Sequence, residues 1–175
     1  MIPPTMMNNF IKEFRAEGYP AQFIGAGIHT SLFDRIDKSQ VWEEVDGIRI
    51  TMPSSWWNED GEVIDFLKIL LNKYHPEEAQ QIMRTSNGYL GGYGADLMFK
   101  LIETTIAEVG AENFNSQAIY ETAQSFALIA DGVETDSFLE TKRNSRNCLA
   151  MYEFRAEGED LSGKTSDWIT VVRSP

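Results

Sequence analysis

Few residues in this chain have the type and spacing that chemistry requires. Gly25-x-Gly27-x-x-Thr30 follows a short apolar run and precedes a helical pattern. In that setting glycines let a pyrophosphate reach helix N–H groups, but Thr30 replaces the third glycine and no acidic ribose partner ends a second strand about 20 residues on. Asn58-x-Asp60-Gly61 has the composition of a calcium loop. Its first-ligand position would be Trp56 and its twelfth, which needs a bidentate Glu, would be Leu67, so calcium is excluded there. His29 and His75 are the two histidines, and no HExxH, GxSxG or metal-ligand spacing accompanies them. The expectation is a protein without catalytic residues, metal or cofactor. Trp56 and Trp57 are adjacent on a loop, so they cannot both face a core; at least one is a candidate for stacking on a ligand or partner, against packing over a sheet edge.

The elements that must position these residues are set by length and composition. The chain has 175 residues, enough for one domain or two small ones. Fifteen Lys and Arg against 27 Asp and Glu give a net charge of -12, which argues against nucleic acid or an anionic membrane as partner. Cys148 is the single cysteine, excluding an internal disulfide and a CxxC site. No apolar run approaches the ~20 residues of a membrane span, and the start MIPPTMMNNF lacks the pattern of a signal peptide.

The longest helical pattern covers 86–110, SNGYLGGYGADLMFKLIETTIAEVG. Leu90, Tyr93, Leu97, Met98, Leu101, Ile102, Ile106 and Val109 recur at three- and four-residue steps, and Asp96, Lys100, Glu103 and Glu108 fall on the other face. Gly91-Gly92 predicts a turn ahead of the helix, either a cap or a binding edge, and Gly110 predicts its C-cap. Upstream, helices are predicted over 5–17 with Thr5 as N-cap, over a short stretch capped by Thr30, and over 61–74 with Val63, Phe66, Leu67, Leu70 and Leu71 inward. Strands are predicted at 21–24 and 47–52, the second ended by Pro53. After a helix at 116–126 started by Asn115, strands follow near Phe138, at 148–156 and at 168–173, with EGEDLSGK as a hairpin loop. This order predicts an α/β fold without repeats or linkers.

The runs NNFIKEFRAEGYPAQFIGAG, VDGIRITMP, GYLGGYGADLMFKLIETTIAEVG, CLAMYEFRAEG and DWITVV resemble, in order and spacing, the C-terminal half of type I periplasmic binding proteins. These are the solute receptors of ABC transporters typified by the Leu/Ile/Val-binding proteins. The resemblance covers nearly the whole chain and rests on element order more than on any invariant motif. It implies part of a two-lobe α/β fold, with open, mostly parallel sheets flanked by helices and the N-terminal lobe missing. Residues 1–52 would belong to the second lobe, 53–135 to the helical part of the first, and 136–175 to a crossover and terminal strands.

The same resemblance implies a periplasmic or otherwise extracytoplasmic receptor that captures a small organic solute and delivers it to an ABC-transporter permease. Met6 matches the place where amino-acid-binding members offer a carboxylate to the ligand's ammonium, and the stretch PPTMMNN holds no acid. Tyr89 falls near the family's aromatic wall, and His29 near the cleft end of its lobe. With Trp56 and Trp57 these aromatic faces suit an aromatic or apolar carboxylate, or an amide. The alternatives are a small nucleotide-binding or enzymatic α/β domain using the Gly25–Thr30 turn, and a ligand-sensing regulatory domain of the same fold. Without its other lobe the chain is expected to hold no solute tightly and to self-associate through the central helix.

Overall fold

The computed structural model describes residues 7–84, 86–139, 144–167 and 169–170. The chain runs α1 (Met7–Ala16), β1 (Ile24–Ala26), a 3-10 helix (Gly27–Leu32), α2 (Phe33–Ser39), α3 (Trp42–Val45), β2 (Arg49–Met52) and α4 (Glu62–Tyr74). It continues through α5 (Ala79–Met83), α6 (Ser86–Val109), α7 (Ser116–Ser125), β3 (Ala127–Ala130), β4 (Val133–Ser137), β5 (Cys148–Arg155), β6 (Asp160–Leu161) and β7 (Ile169–Thr170). One sheet has the order β1-β2-β5-β6, with β7 also on β5, and β3-β4 forms a separate pair. The large sheet is mixed: β1 and β2 are parallel, and β5 returns antiparallel with Ile50 opposite Tyr152.

Strict alternation builds the main core. Cys148, Ala150, Tyr152 and Phe154 of β5 are buried, while Leu149, Met151 and Glu153 on the other face are only half-covered. Over the buried face lie α1 through Ile11, α2 through Phe33 and Ile36, and α3 through Trp42 and Val45. Phe33 makes edge-on contacts with Trp42, Trp56 and Phe154 at 5.4, 5.4 and 5.5 Å. Two further clusters lie apart from it. One joins Val63, Ile64, Ala79, Met83, Tyr93 and Ala130; the other joins Leu97, Leu101, Phe126 and Leu128.

Several expectations change. The first strand begins at Ile24 and includes the Gly25-Ala26 pair expected to end it. Thr30 caps no α-helix; its hydroxyl donates to Gly27 O at 2.7 Å inside the 3-10 helix. Gly91 and Gly92 are helical residues of α6 and not a turn. The reason at Gly92 is packing: a Cβ there would stand 2.5 Å from Leu67 Cδ2, so glycine lets α4 approach α6. On α4 the inward face carries Val63 and Ile64, and Phe66 is half-exposed. The β3-β4 hairpin was not expected. Asp131 and Gly132 both have positive φ, 51° and 77°, as the tight Asp-Gly hairpin turn requires. β6 lies within the stretch expected to be a loop, and Trp168 and 171–175 of the last expected strand lie outside the described residues.

Candidate functional site

In open α/β sheets ligands lie beyond the carboxyl ends of parallel strands. Here those ends are Ala26, which runs into the 3-10 helix, and Met52, which runs into the crossover 53–61. His29 is buried in the 3-10 helix, and its Nδ1 lies 3.0 Å from Ala26 N and 2.9 Å from Ala26 O, so the ring folds back three residues onto the backbone at the helix start, accepting from the N–H in one tautomer and donating to the carbonyl in the other. Gly25 makes room for this, because a Cβ there would lie 2.9 Å from the same Nδ1. The Gly25–Thr30 turn is thus filled by an imidazole, and it offers no open cradle to a phosphate. Helix α6 packs against this 3-10 helix.

The crossover is unusual in running through the interior. Pro53 ends the β2 ladder, and Ser54, Ser55 and Trp56 are all buried. Buried backbone needs partners, and Glu59 supplies most of them. Its carboxylate accepts the Trp56 N–H at 2.8 Å, the Tyr152 hydroxyl at 2.6 Å and the Lys164 N–H at 3.3 Å. Its carbonyl accepts Lys68 Nζ at 2.6 Å. Burial first, and the neighbouring Glu59 second, raise the Tyr152 hydroxyl far above the ordinary phenol range. Tyr93 of α6 is likewise raised by burial, with its hydrogen bonding to Ser55 opposing. Tyr93 therefore ties α6 to the crossover.

Both tryptophans face cores, contrary to expectation. Trp56 is 0% exposed, with its indole N–H on Asp160 Oδ1 at 2.9 Å. Trp57 is half-buried between the sheet core and the Val63 cluster. Burial raises the Asp160 pKa, opposed by the Leu161 and Trp56 N–H groups. The Trp57 indole N–H lies near enough to lower it slightly, yet it closes no hydrogen bond of acceptable geometry. Sequence adjacency misled because Trp56 lies within the sheet core while Trp57 bridges that core and the Val63 cluster. Of the expected site residues, then, His29 meets the α6 layer, and the tryptophans pack beside Asp160. Met6 and the Tyr89 side chain lie outside what is described. Glu59 and Tyr152 had no sequence signal of their own beyond Tyr152 sitting on the buried face of an alternating strand.

A surface cleft of about 570 Å³ is lined by Asp37, Gln40, Trp42, Glu43, Arg84, Ala156 and Glu159. Arg84 donates to both Asp37 carboxylate oxygens at 3.3 and 3.4 Å and to Glu159 O at 3.0 Å, over the face of Phe33. Glu159 follows β5, whose Glu153 pairs with Arg49 at the start of β2. The cleft thus opens at the amino end of β2, away from the strand ends where ligands gather. Among the described residues no group of three or more His, Cys, Asp or Glu side chains could hold a metal, and no helix is long and apolar enough to cross a membrane.

An α/β sheet with helices clustered in separate cores is the architecture these observations define. A solved structure shares it: a branched chain amino acid ABC transporter from Thermus thermophilus with bound valine, with a TM-score of 0.68 at 17% identity. The alignment covers 94% of this chain and 43% of that one. The fold is accordingly that of the type I periplasmic binding proteins. No protein-family model matches the sequence, and no curated protein does.

Proposed function

We propose that this chain is part of an extracytoplasmic solute receptor of the ABC-transporter type, in which two lobes close on a small organic solute for transfer to a permease. The observation that carries this reading is the shared fold over 94% of the chain. The separation of the cores supports the lobe assignment: residues 1–52 with the returning strands of 136–175 in one lobe, and the helices of 53–135 in the other. Trp56 belongs to the sheet core, so on this reading the boundary falls after Trp56. The solute would meet the 3-10 helix and the first half of α6. It is held without covalent chemistry, and no catalytic group is assigned.

The ligand class we favour is an aromatic or apolar carboxylate, or an amide. PPTMMNN offers no acid for an ammonium group, and an unpaired buried ammonium is prohibitively costly. Trp57, half-buried, keeps some aromatic surface, whereas Trp56 is taken up by its core; Tyr89 stays a candidate on the resemblance alone. Calorimetry of the receptor with phenylacetate, aliphatic amides, leucine and valine tests this. Heat from the aromatic acid or the amides and none from the amino acids is expected; tight leucine or valine binding with no response to aromatic acids overturns it. A thermal-shift screen with nucleotides is expected to be flat, since His29 occupies the glycine turn.

A further inference from the structure

We propose that His29 and Ser54 together are the polar anchor of the solute site, and that the group they hold is a carboxylate. This rests on the receptor reading above and narrows its ligand class. The two residues follow the carboxyl ends of adjacent parallel strands: His29 lies three positions past Ala26 of β1, and Ser54 two past Met52 of β2. The turns after those ends are packed on each other, since a Cβ on Gly27 would stand 3.4 Å from Met52 Cγ and 3.9 Å from Pro53 Cδ. This is the end of an open α/β sheet at which ligands gather.

Each residue keeps one polar group without a protein partner. Ser54 is 0% exposed, and among the described residues its hydroxyl makes no hydrogen bond. The surrounding segment is closely paired: Ser54 O accepts the Tyr152 hydroxyl at 3.3 Å, and Ser55 hydrogen-bonds with Tyr93. A buried hydroxyl left over in such a segment calls for an explanation, and a ligand atom supplies one. On His29, Nδ1 is taken up by the Ala26 peptide in either tautomer, at 3.0 Å from N and 2.9 Å from O. Nε2 stands on the far side of the ring, directed away from that peptide, and among the described residues it has no hydrogen-bond partner. Because Nδ1 is served equally by a donor and an acceptor, the ring proton sits on either nitrogen without the ring moving. An acceptor arriving at Nε2 draws the proton there, and the Ala26 N–H then serves Nδ1. His29 and Ser54 thus present two uncharged donors. A carboxylate accepts at both oxygens and uses both donors at once, in charge-assisted bonds, whereas an amide brings one acceptor oxygen and sets an NH2 against the other donor. Helix α6 packs on the 3-10 helix and reaches Ser55 through Tyr93, so the solute enters as that tie opens.

Ser54→Ala and the His29 ring signals test this, with phenylacetate as the probe and the 175-residue chain as the protein. Without solute, Ser54→Ala is expected to melt at or above the wild-type temperature, because it removes a buried hydroxyl that has no partner to lose. With phenylacetate, its dissociation constant in an NMR titration is expected to rise by ~10-fold or more, the effect of losing one hydrogen bond to a charged group. The ring is read by long-range proton–nitrogen correlation, since substituting His29 would also disturb the Ala26 contact. Phenylacetate is expected to place the ring proton on Nε2, a change that a merely structural histidine would not show. Ser54→Ala melting below wild type, phenylacetate bound equally by both proteins, or a ring unmoved by phenylacetate overturns the anchor. The amides of Thr30, Ser55 and Tyr93 report solute at the site independently, so their shifts in those cases leave the receptor reading standing. A chain in which no solute shifts any of these signals overturns both.

Discussion

Around the large sheet the aromatic side chains of the inner face have partners: Phe33 meets Trp42, Trp56 and Phe154, and Tyr152 donates to Glu59. Around α6 the inward stripe is buried, and the neighbouring stripe leaves Phe99 65% exposed. The difference lies in what each region can close by itself. A sheet with one face under helices completes its core with short-range neighbours, and its interior crossover is stitched by hydrogen bonds. A long helix flanked by α4, α7 and a two-stranded hairpin has more apolar surface than those elements cover.

The sharpest way to break that comparison is to truncate one phenylalanine from each region. Phe33→Ala removes the hub of the aromatic cluster and is expected to cost about 3–5 kcal/mol in a urea melt. Phe99→Ala, at a 65% exposed position, should change stability by no more than about 0.5 kcal/mol. Equal losses would mean that α6 is as fully packed as the sheet.

Next in size is the polar stitching of the crossover. Tyr152→Phe leaves the Glu59 carboxylate short of a donor and is expected to cost about 1–3 kcal/mol. It also has a pH signature whose sign follows from linkage. The folded hydroxyl titrates well above the unfolded value near 10, so the folded state keeps a proton the unfolded state gives up, and stability falls as pH rises past about 10. Each such tyrosine adds a slope of about 1.4 kcal/mol per pH unit, and Tyr93, also raised, contributes in the same direction. Urea melts between about pH 9 and 11 should show stability falling with pH in wild type, and falling less in Tyr152→Phe, where Tyr93 remains.

The smallest effect compares adjacent glycines on α6. Gly91→Ala meets nothing within 4 Å and should stabilise by about 0.5–1 kcal/mol through helix propensity. Gly92→Ala forces Leu67 aside and should fall below it by roughly 1–3 kcal/mol. Thermal melts that rank them in the opposite order would put α4 farther from α6 than the structure has it.

These glycines also show what was legible in the sequence. Periodicity gave α4 and α6, the Asn115 cap gave α7, and alternation gave β5, whose one face is buried throughout. It misread Gly91-Gly92 as a turn, since a glycine chosen for close helix contact has the same letter as one chosen for positive φ. The β3-β4 hairpin was missed although Asp131-Gly132 carries its signal, and that turn matters twice, because Asp131 Oδ1 also accepts the Glu62 N–H at the start of α4 at 2.9 Å. His29 was legible as a position near a strand end. Its role as a backbone cap was not, because it depends on Gly25 leaving room for the ring. The Glu59 network is a contact over 93 residues of chain to Tyr152, which no local pattern encodes.

The proposal is that a solute meets the 3-10 helix Gly27–Leu32, the crossover at Ser55 and the Tyr93 region of α6, elements that pack together. A nitrogen-15 NMR titration of the 175-residue chain reads both place and affinity. Phenylacetate or an amide at millimolar concentration should shift the amides of His29, Thr30, Ser55 and Tyr93 together. Shifts confined to Asp37, Arg84 and Glu159 would move the site to the surface cleft, and a spectrum unmoved by every solute would contradict the account outright.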